Sequence, residues 1–321
     1  MPSRINPADF FVQADANLGA VEVATFLSLI LYGVSLSQGY AYFRRFEGDR
    51  FGLKFMVSML LCLETFHSFT AGMAIYYDTV TRWKTAEANS YPISTNVVLE
   101  TLITLLVQCF FCFRIYRLSG RFSVSILCFV LALVRFIGGV AMSVENYKDV
   151  PNKPNNGVAT VARFSWMITA ALACGSGADI LIAISMIYYL RKMASPANLQ
   201  STTDILNRLI RFALQTGLIT SMTSLAVIAC FQAMSNMIWF GLYIILAKLY
   251  SNSLLVSLNA RPATEIPSTL PKNLASELIF HAGAAPVSVF SIQMSRQDHT
   301  SDWRRSSSSP SKENAFGPEN V

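Results

Sequence analysis

Polar and charged positions divide this chain into seven long apolar stretches, approximately Leu18 to Phe43, Leu53 to Tyr77, Ile93 to Phe113, Phe122 to Val144, Val161 to Leu190, Leu209 to Ala233 and Asn236 to Leu258. A hydrocarbon core of about 30 Å takes about 20 residues of helix to cross. No water is present there to satisfy peptide groups, so an apolar stretch of this length predicts a helix that bonds its own backbone. The pattern therefore predicts an all-α membrane protein. Its seven-transmembrane helix bundle spans 18–258, between a short N-terminus at 1–17 and a polar tail at 259–321 that reads as disordered. The N-terminal residues include Pro2, Pro7, Asp9 and Asp15 and lack the basic and apolar regions of a cleaved signal peptide. The first span is too long for one and is expected to be retained.

Composition agrees: hydrophobic residues are 53% of the chain and charged residues 14%, a balance that makes the bilayer the natural solvent for much of it. The net charge of +6 does not point to nucleic acid, because its Lys and Arg residues sit in short loops and in the tail rather than on one face. Arg44, Arg45, Arg50, Arg114, Arg117, Arg121, Arg191, Lys192 and Arg208 follow the odd-numbered spans, and Arg261 follows the last. Arg4, Arg82, Lys84, Lys148, Lys153 and Arg163 make a thinner set on the other side. Positive charge accumulates on the cytoplasmic side, so the N-terminus is expected outside and the tail in the cytoplasm. The chain has no Asn-x-Ser/Thr sequon, and all six cysteines lie in or at the ends of spans, which argues against an external disulfide framework. Plasma and internal membranes both fit, and the oligomeric state is left open.

All twelve prolines fall outside the spans, so fairly straight helices are expected. Close packing is instead predicted from small residues, chiefly Ala170 to Ala178 and the pair Gly138 and Gly139. Against this apolar background stand Glu64, His67, Glu100, Arg135, Asp179 and Lys248, each within a span. A charge inside the bilayer costs several kcal/mol unless it is paired. Glu64 and His67 are three apart and share a helix face, as a proton-handling pair or as a polar clasp between helices. Glu100 and Arg135 reach similar depth on antiparallel spans and predict an ion pair. Three acidic groups against two cations and one histidine predict a shared internal network.

Known site chemistries do not fit these residues, so neither an enzyme nor a cofactor or metal is expected. The stretch Gly175-Ser176-Gly177-Ala178-Asp179 has one residue too many for the Gly-x-Gly-Asp pattern of intramembrane aspartyl proteases, and no second intramembrane Asp exists to complete a dyad. A zinc hydrolase needs several histidines, and only His67 is in a span, with His281 and His299 in the tail. Lys248 sits where a retinal Schiff base would, but position 244 is Ile and position 97 is Val, where supporting charges would be needed.

Several runs resemble a family of integral membrane proteins from mushroom-forming fungi, domain of unknown function 6534. They are Gln38-Gly39-Tyr40-Ala41-Tyr42, Glu64-Thr65-Phe66-His67, Arg114 to Arg121, Ala178-Asp179-Ile180-Leu181, Asn207-Arg208-Leu209, Thr216 to Ser221, Lys248 to Leu255 and Leu258 to Arg261. The resemblance implies seven spans and a basidiomycete source, and it carries no assigned activity, ligand or partner. Glu64, His67, Asp179 and Lys248 match the family pattern, whereas Arg135 stands where a neutral polar residue is expected.

Arg117, Arg121, Arg208, Asn252, Asn259 and Arg261 are expected at the cytoplasmic face, as headgroup anchors or as a docking surface for a cytoplasmic partner. Arg304 and Arg305 precede Ser306 and Ser307 in an order that suits a basic-directed kinase. Short loops, the absence of a soluble catalytic domain and a tail able to signal favour a receptor-like or sensor-like membrane protein. A small-solute or proton-coupled transporter using the buried charges is the alternative.

Overall fold

A computed structural model of the chain describes residues 18–81, 89–120, 122–150, 158–194, 200–234 and 236–260, with side chains left out at 158–159, 193–194 and 200–216. The predicted N-terminal segment and tail, with Arg121, Arg261, Ser306 and Ser307, lie outside the described residues, as does the side chain of Arg208. The helices are α1 (Ala20–Arg45), α2 (Phe51–Tyr76), α3 (Tyr91–Ser119), α4 (Phe122–Asp149), the short α5 (Val158–Arg163), α6 (Ser165–Ala194), α7 (Gln200–Ala233) and α8 (Ile238–Asn259).

Six of them, α1, α2, α3, α4, α6 and α8, are long and apolar enough to cross a membrane. In α7, 34 residues long, the part with described side chains is the apolar stretch Gly217–Ala233. The predicted fifth span is divided at Phe164. Its amide still reaches Thr160 O and its carbonyl accepts from Met167 and Ile168, so α5 and α6 are nearly continuous. Helices also run past their apolar stretches, because backbone bonding continues into polar residues beyond them. The start of α3 is local chemistry: Ser90 Oγ accepts from the Ile93 amide, and Pro92 occupies the first turn, where a missing N–H costs nothing. Its end is Gly120, whose φ of 63° lets the chain turn without a Cβ clash.

α1, α2, α3, α4, α6, α7 and α8 form a ring in which each packs on the next and α8 closes on α1. Two run through the interior: α3 also meets α6 and α8, and α8 also meets α2. Large apolar side chains face outward all round, among them Phe26 and Ile30 on α1, Phe129 and Ile137 on α4, Ile184 on α6 and Met222 on α7. So much apolar surface, on every side, suits lipid and not water. The interior carries the polar groups instead, including Ser28, Ser35, Gln108, Ser143, Ser224 and Ser251.

Two predicted cytoplasmic-face residues prove to be interhelical ties. Asn252 Nδ2 donates to Leu31 O at 3.2 Å, and Asn259 Nδ2 donates to Gln38 O at 2.8 Å. Seven residues apart, they share one face of α8 and hold it along α1, so both half-buried side chains are engaged between helices. Arg114, grouped with the loop charges in the sequence, is buried within α3 and donates to Ser257 Oγ of α8 at 2.5 Å. Arg117 is exposed.

Small residues set the closest approaches. A Cβ on Gly138 would stand 2.8 Å from Ala171 Cβ of α6, and one on Gly139 would stand 2.1 Å from Thr101 Cγ2 of α3. Gly139→Ala is expected to destabilise the bundle by about 1–3 kcal/mol through overpacking. Thr101→Ala in the same chain should recover most of that loss, as read by thermal unfolding of detergent-purified protein.

Candidate functional site: two polar clusters and a cavity

The interior charges are organised by the two faces of α8. At 100° per residue, Lys248 and Ser251 lie on one face, while Tyr243 and Tyr250 lie close to the other. The first face meets α2. Lys248 Nζ donates to Glu64 Oε2 at 2.6 Å and to Ser68 Oγ at 2.8 Å, and Ser251 Oγ donates to Glu64 Oε1 at 2.5 Å. Tyr32 of α1 places its ring 5.4 Å from the ammonium. Glu64 and Lys248 are both fully buried, so each is the other's solvent.

The second face meets α3, α4 and α6. Arg135 Nη2 donates to Glu100 Oε1 at 2.6 Å, and Thr104 donates to the same oxygen at 3.0 Å. Asp179 accepts from Gln108 Nε2 at 2.8 Å through one oxygen and from the Tyr250 hydroxyl through the other. The Arg135 guanidinium stands 5.6 Å from the centre of the Tyr250 ring, which joins the Arg135–Glu100 pair to Asp179. Gly175 makes room for this arrangement, since a Cβ there would fall 2.4 Å from Arg135 Nη1.

Two sequence expectations are corrected. The charges do not form one network: they make two clusters, because Lys248 and Tyr250 point to nearly opposite sides of α8. Nor does Glu64 bond to His67. The Glu64 oxygens are taken by Lys248 and Ser251, and neither ring nitrogen of fully buried His67 has a hydrogen-bond partner among the described residues. The His67 carbonyl instead accepts from Asn96 Nδ2 of α3 at 3.0 Å. The ion pair of Glu100 with Arg135 is present.

Sequence reading missed Ser68, Gln108, Tyr243, Tyr250 and Ser251. A signal existed: Glu100, Thr104 and Gln108 recur at helical spacing on one strip of α3, as Tyr243 and Tyr250 do on α8. Among the described residues, no group of three or more His, Cys, Asp or Glu side chains is placed to hold a metal ion.

A cavity of about 70 Å³ adjoins the second cluster, at the end of the bundle where α1, α3 and α8 begin. Arg135, Thr101, Asn146 and Tyr243 give it polar walls, and Val97, Met142, Ile168, Leu172 and Trp239 give it apolar ones. The first cluster borders no part of it.

Residues 175–263 match the model of a family of unknown function, DUF6534. Neither a curated protein nor a solved structure matches the chain. The DUF6534 stretch covers Gly175, Asp179, Lys248, Tyr250 and Ser251, whereas Glu64, Glu100, Gln108 and Arg135 lie before it.

Removing one member of a buried pair leaves a naked charge, which costs about 3–5 kcal/mol, whereas replacing both with apolar groups is often neutral. Lys248→Met is therefore expected to lower stability by about that amount, and Glu64→Met added to it should restore most of the loss. A double-mutant cycle on thermal unfolding in detergent reads the coupling directly.

Proposed function

We propose that this chain is a receptor-like or sensor-like membrane protein of seven spans, with α7 as the sixth, its N-terminus outside and its tail in the cytoplasm. In this reading the cavity receives a ligand, and the Arg135 cluster carries its effect to α8. One observation carries it: Arg135 both lines the cavity and binds Glu100 over the Tyr250 ring. A molecule that moves the guanidinium therefore acts on groups from α3, α4, α6 and α8 at once. Arg117 and the basic residues near it serve a cytoplasmic partner or the headgroups on the opposite side.

A proton-coupled or small-solute transporter is the second reading, supported by buried His67, whose ring nitrogens have no hydrogen-bond partner among the described residues. Both oxygens of Glu64 and both of Asp179, however, are occupied by partners within the bundle, which suits a switch better than a path for protons. An enzymatic role lacks a nucleophile set or metal-ligand cluster among the described residues and is not proposed.

Purified protein in liposomes holding a pH-sensitive dye is expected to pass protons no faster than protein-free vesicles. Flux above that level, lost in Glu100→Gln and His67→Ala, would replace the sensor with a carrier. Span number is checked separately. An odd number puts the two ends on opposite sides, so an Asn-x-Ser sequon inserted near residue 5 should be glycosylated and one inserted near residue 310 should not. Glycans at both ends would leave an even number of spans.

A further inference from the structure

We infer that Cys112 of α3 and Cys128 of α4 form a modification site, a thiol pair that a small peroxide converts into a disulfide inside the bundle, locking the two helices together. Neither residue lines the cavity, so the site stands apart from the receptor reading.

Helix register brings the two together. α3 and α4 are consecutive helices joined at Gly120, and they approach closely where a Cβ on Gly139 would stand 2.1 Å from the Thr101 methyl. Cys112 lies eleven residues beyond Thr101, and Cys128 lies eleven before Gly139. Eleven residues at 100° each make three turns to within about 20°, so the cysteines return to the faces that meet at Thr101 and Gly139. Contacts near the turn hold this register: Ser125 Oγ donates to Cys112 O at 2.8 Å, and the Tyr116 and Phe122 rings stack at 4.3 Å. The thiols meet accordingly, the Cys112 S–H donating to the Cys128 sulfur.

The surroundings decide which product suits the pair. Both cysteines are free thiols, Cys128 fully buried and Cys112 almost so, among Ile115, Ile182, Met186 and Leu190. A sulfinate, or a metal held between two thiolates, would leave negative charge in an apolar interior, and Asp179, whose field reaches Cys112, would add to the cost. A disulfide leaves no charge.

Hydrogen peroxide is the fitting oxidant class, being small and uncharged. One sulfur attacks the O–O bond, its proton leaves with the departing oxygen as water, and a sulfenic acid remains. The second sulfur displaces that hydroxyl, its own proton leaving in a second water as the S–S bond forms. Each sulfur gives up one electron, and the peroxide takes both. Entry needs only a local opening of the hairpin's end, because Cys112 lies seven residues before the end of α3 and Cys128 six after the start of α4. Oxidation is therefore slower than at exposed Cys62.

The test uses full-length protein in a nonionic detergent, treated with hydrogen peroxide until Cys62 is fully oxidised and then for ten times as long. After unfolding, free thiols are capped with N-ethylmaleimide and the digest is read by mass spectrometry. A peptide pair joined through Cys112 and Cys128, two hydrogens lighter than the reduced pair and separated by dithiothreitol, is expected. Thermal unfolding of the oxidised protein should rise by about 5 °C and return on reduction, as a short covalent loop implies. Cys112→Ser and Cys128→Ser should each abolish the bond and the rise, and Cys109→Ser should keep both. Cys112 and Cys128 still capped at the end overturn the proposal. So do sulfinic acids at either position without the bond, a bond from Cys112 to Cys109, or a bond between two copies of the chain.

Discussion

A charge placed in hydrocarbon must find its counter-charge inside the protein, and the interior of this bundle is arranged around that demand. Lys248 on Glu64 and Arg135 on Glu100 are the two solutions. The first joins helices distant in sequence and the second joins consecutive ones, and each is fully or almost fully buried. Lipid gives helices little hydrophobic reason to associate, so interhelical hydrogen bonds and close backbone approach carry the association. Ser251 donates to the Glu64 oxygen that Lys248 leaves over, Ser68 accepts a further bond from Lys248, and Thr104 donates to the Glu100 oxygen that Arg135 also holds. Gly138, Gly139 and Gly175 bring the helices near enough for these bonds to be short.

The same demand explains why α8 is central. Its two faces serve different partners: one offers an ammonium to α2, the other a phenol to α6 and a ring to the Arg135 guanidinium. A helix so tied cannot rotate about its axis without breaking polar contacts on both sides.

Span positions were readable because twenty apolar residues in a row have few structural meanings, and the six helices long and apolar enough to cross a membrane fall where the pattern put them. The pairing of Glu100 with Arg135 was readable too, from depth on antiparallel helices. Glu64 was harder. Local spacing pointed to His67 three residues away, whereas its partner Lys248 is 184 residues distant and only the folded ring brings it near. Asn252 and Asn259 mislead for a related reason: polar residues near the end of a span look like surface until the helix beside them is known to need donors. Periodicity states which residues share a face, and the neighbour of that face is a tertiary fact.

The boundary of the DUF6534 stretch has a consequence for where this chain can be divided. It encloses Lys248 and Asp179 but leaves Glu64, Glu100, Gln108 and Arg135 on the other side. The Lys248–Glu64 pair is thus split by that boundary, while the Glu100–Arg135 pair lies wholly before it. A substitution at Lys248 or at Glu64 is therefore felt on both sides of the boundary. A polypeptide cut at that boundary would leave an uncompensated carboxylate in one piece and an uncompensated ammonium in the other.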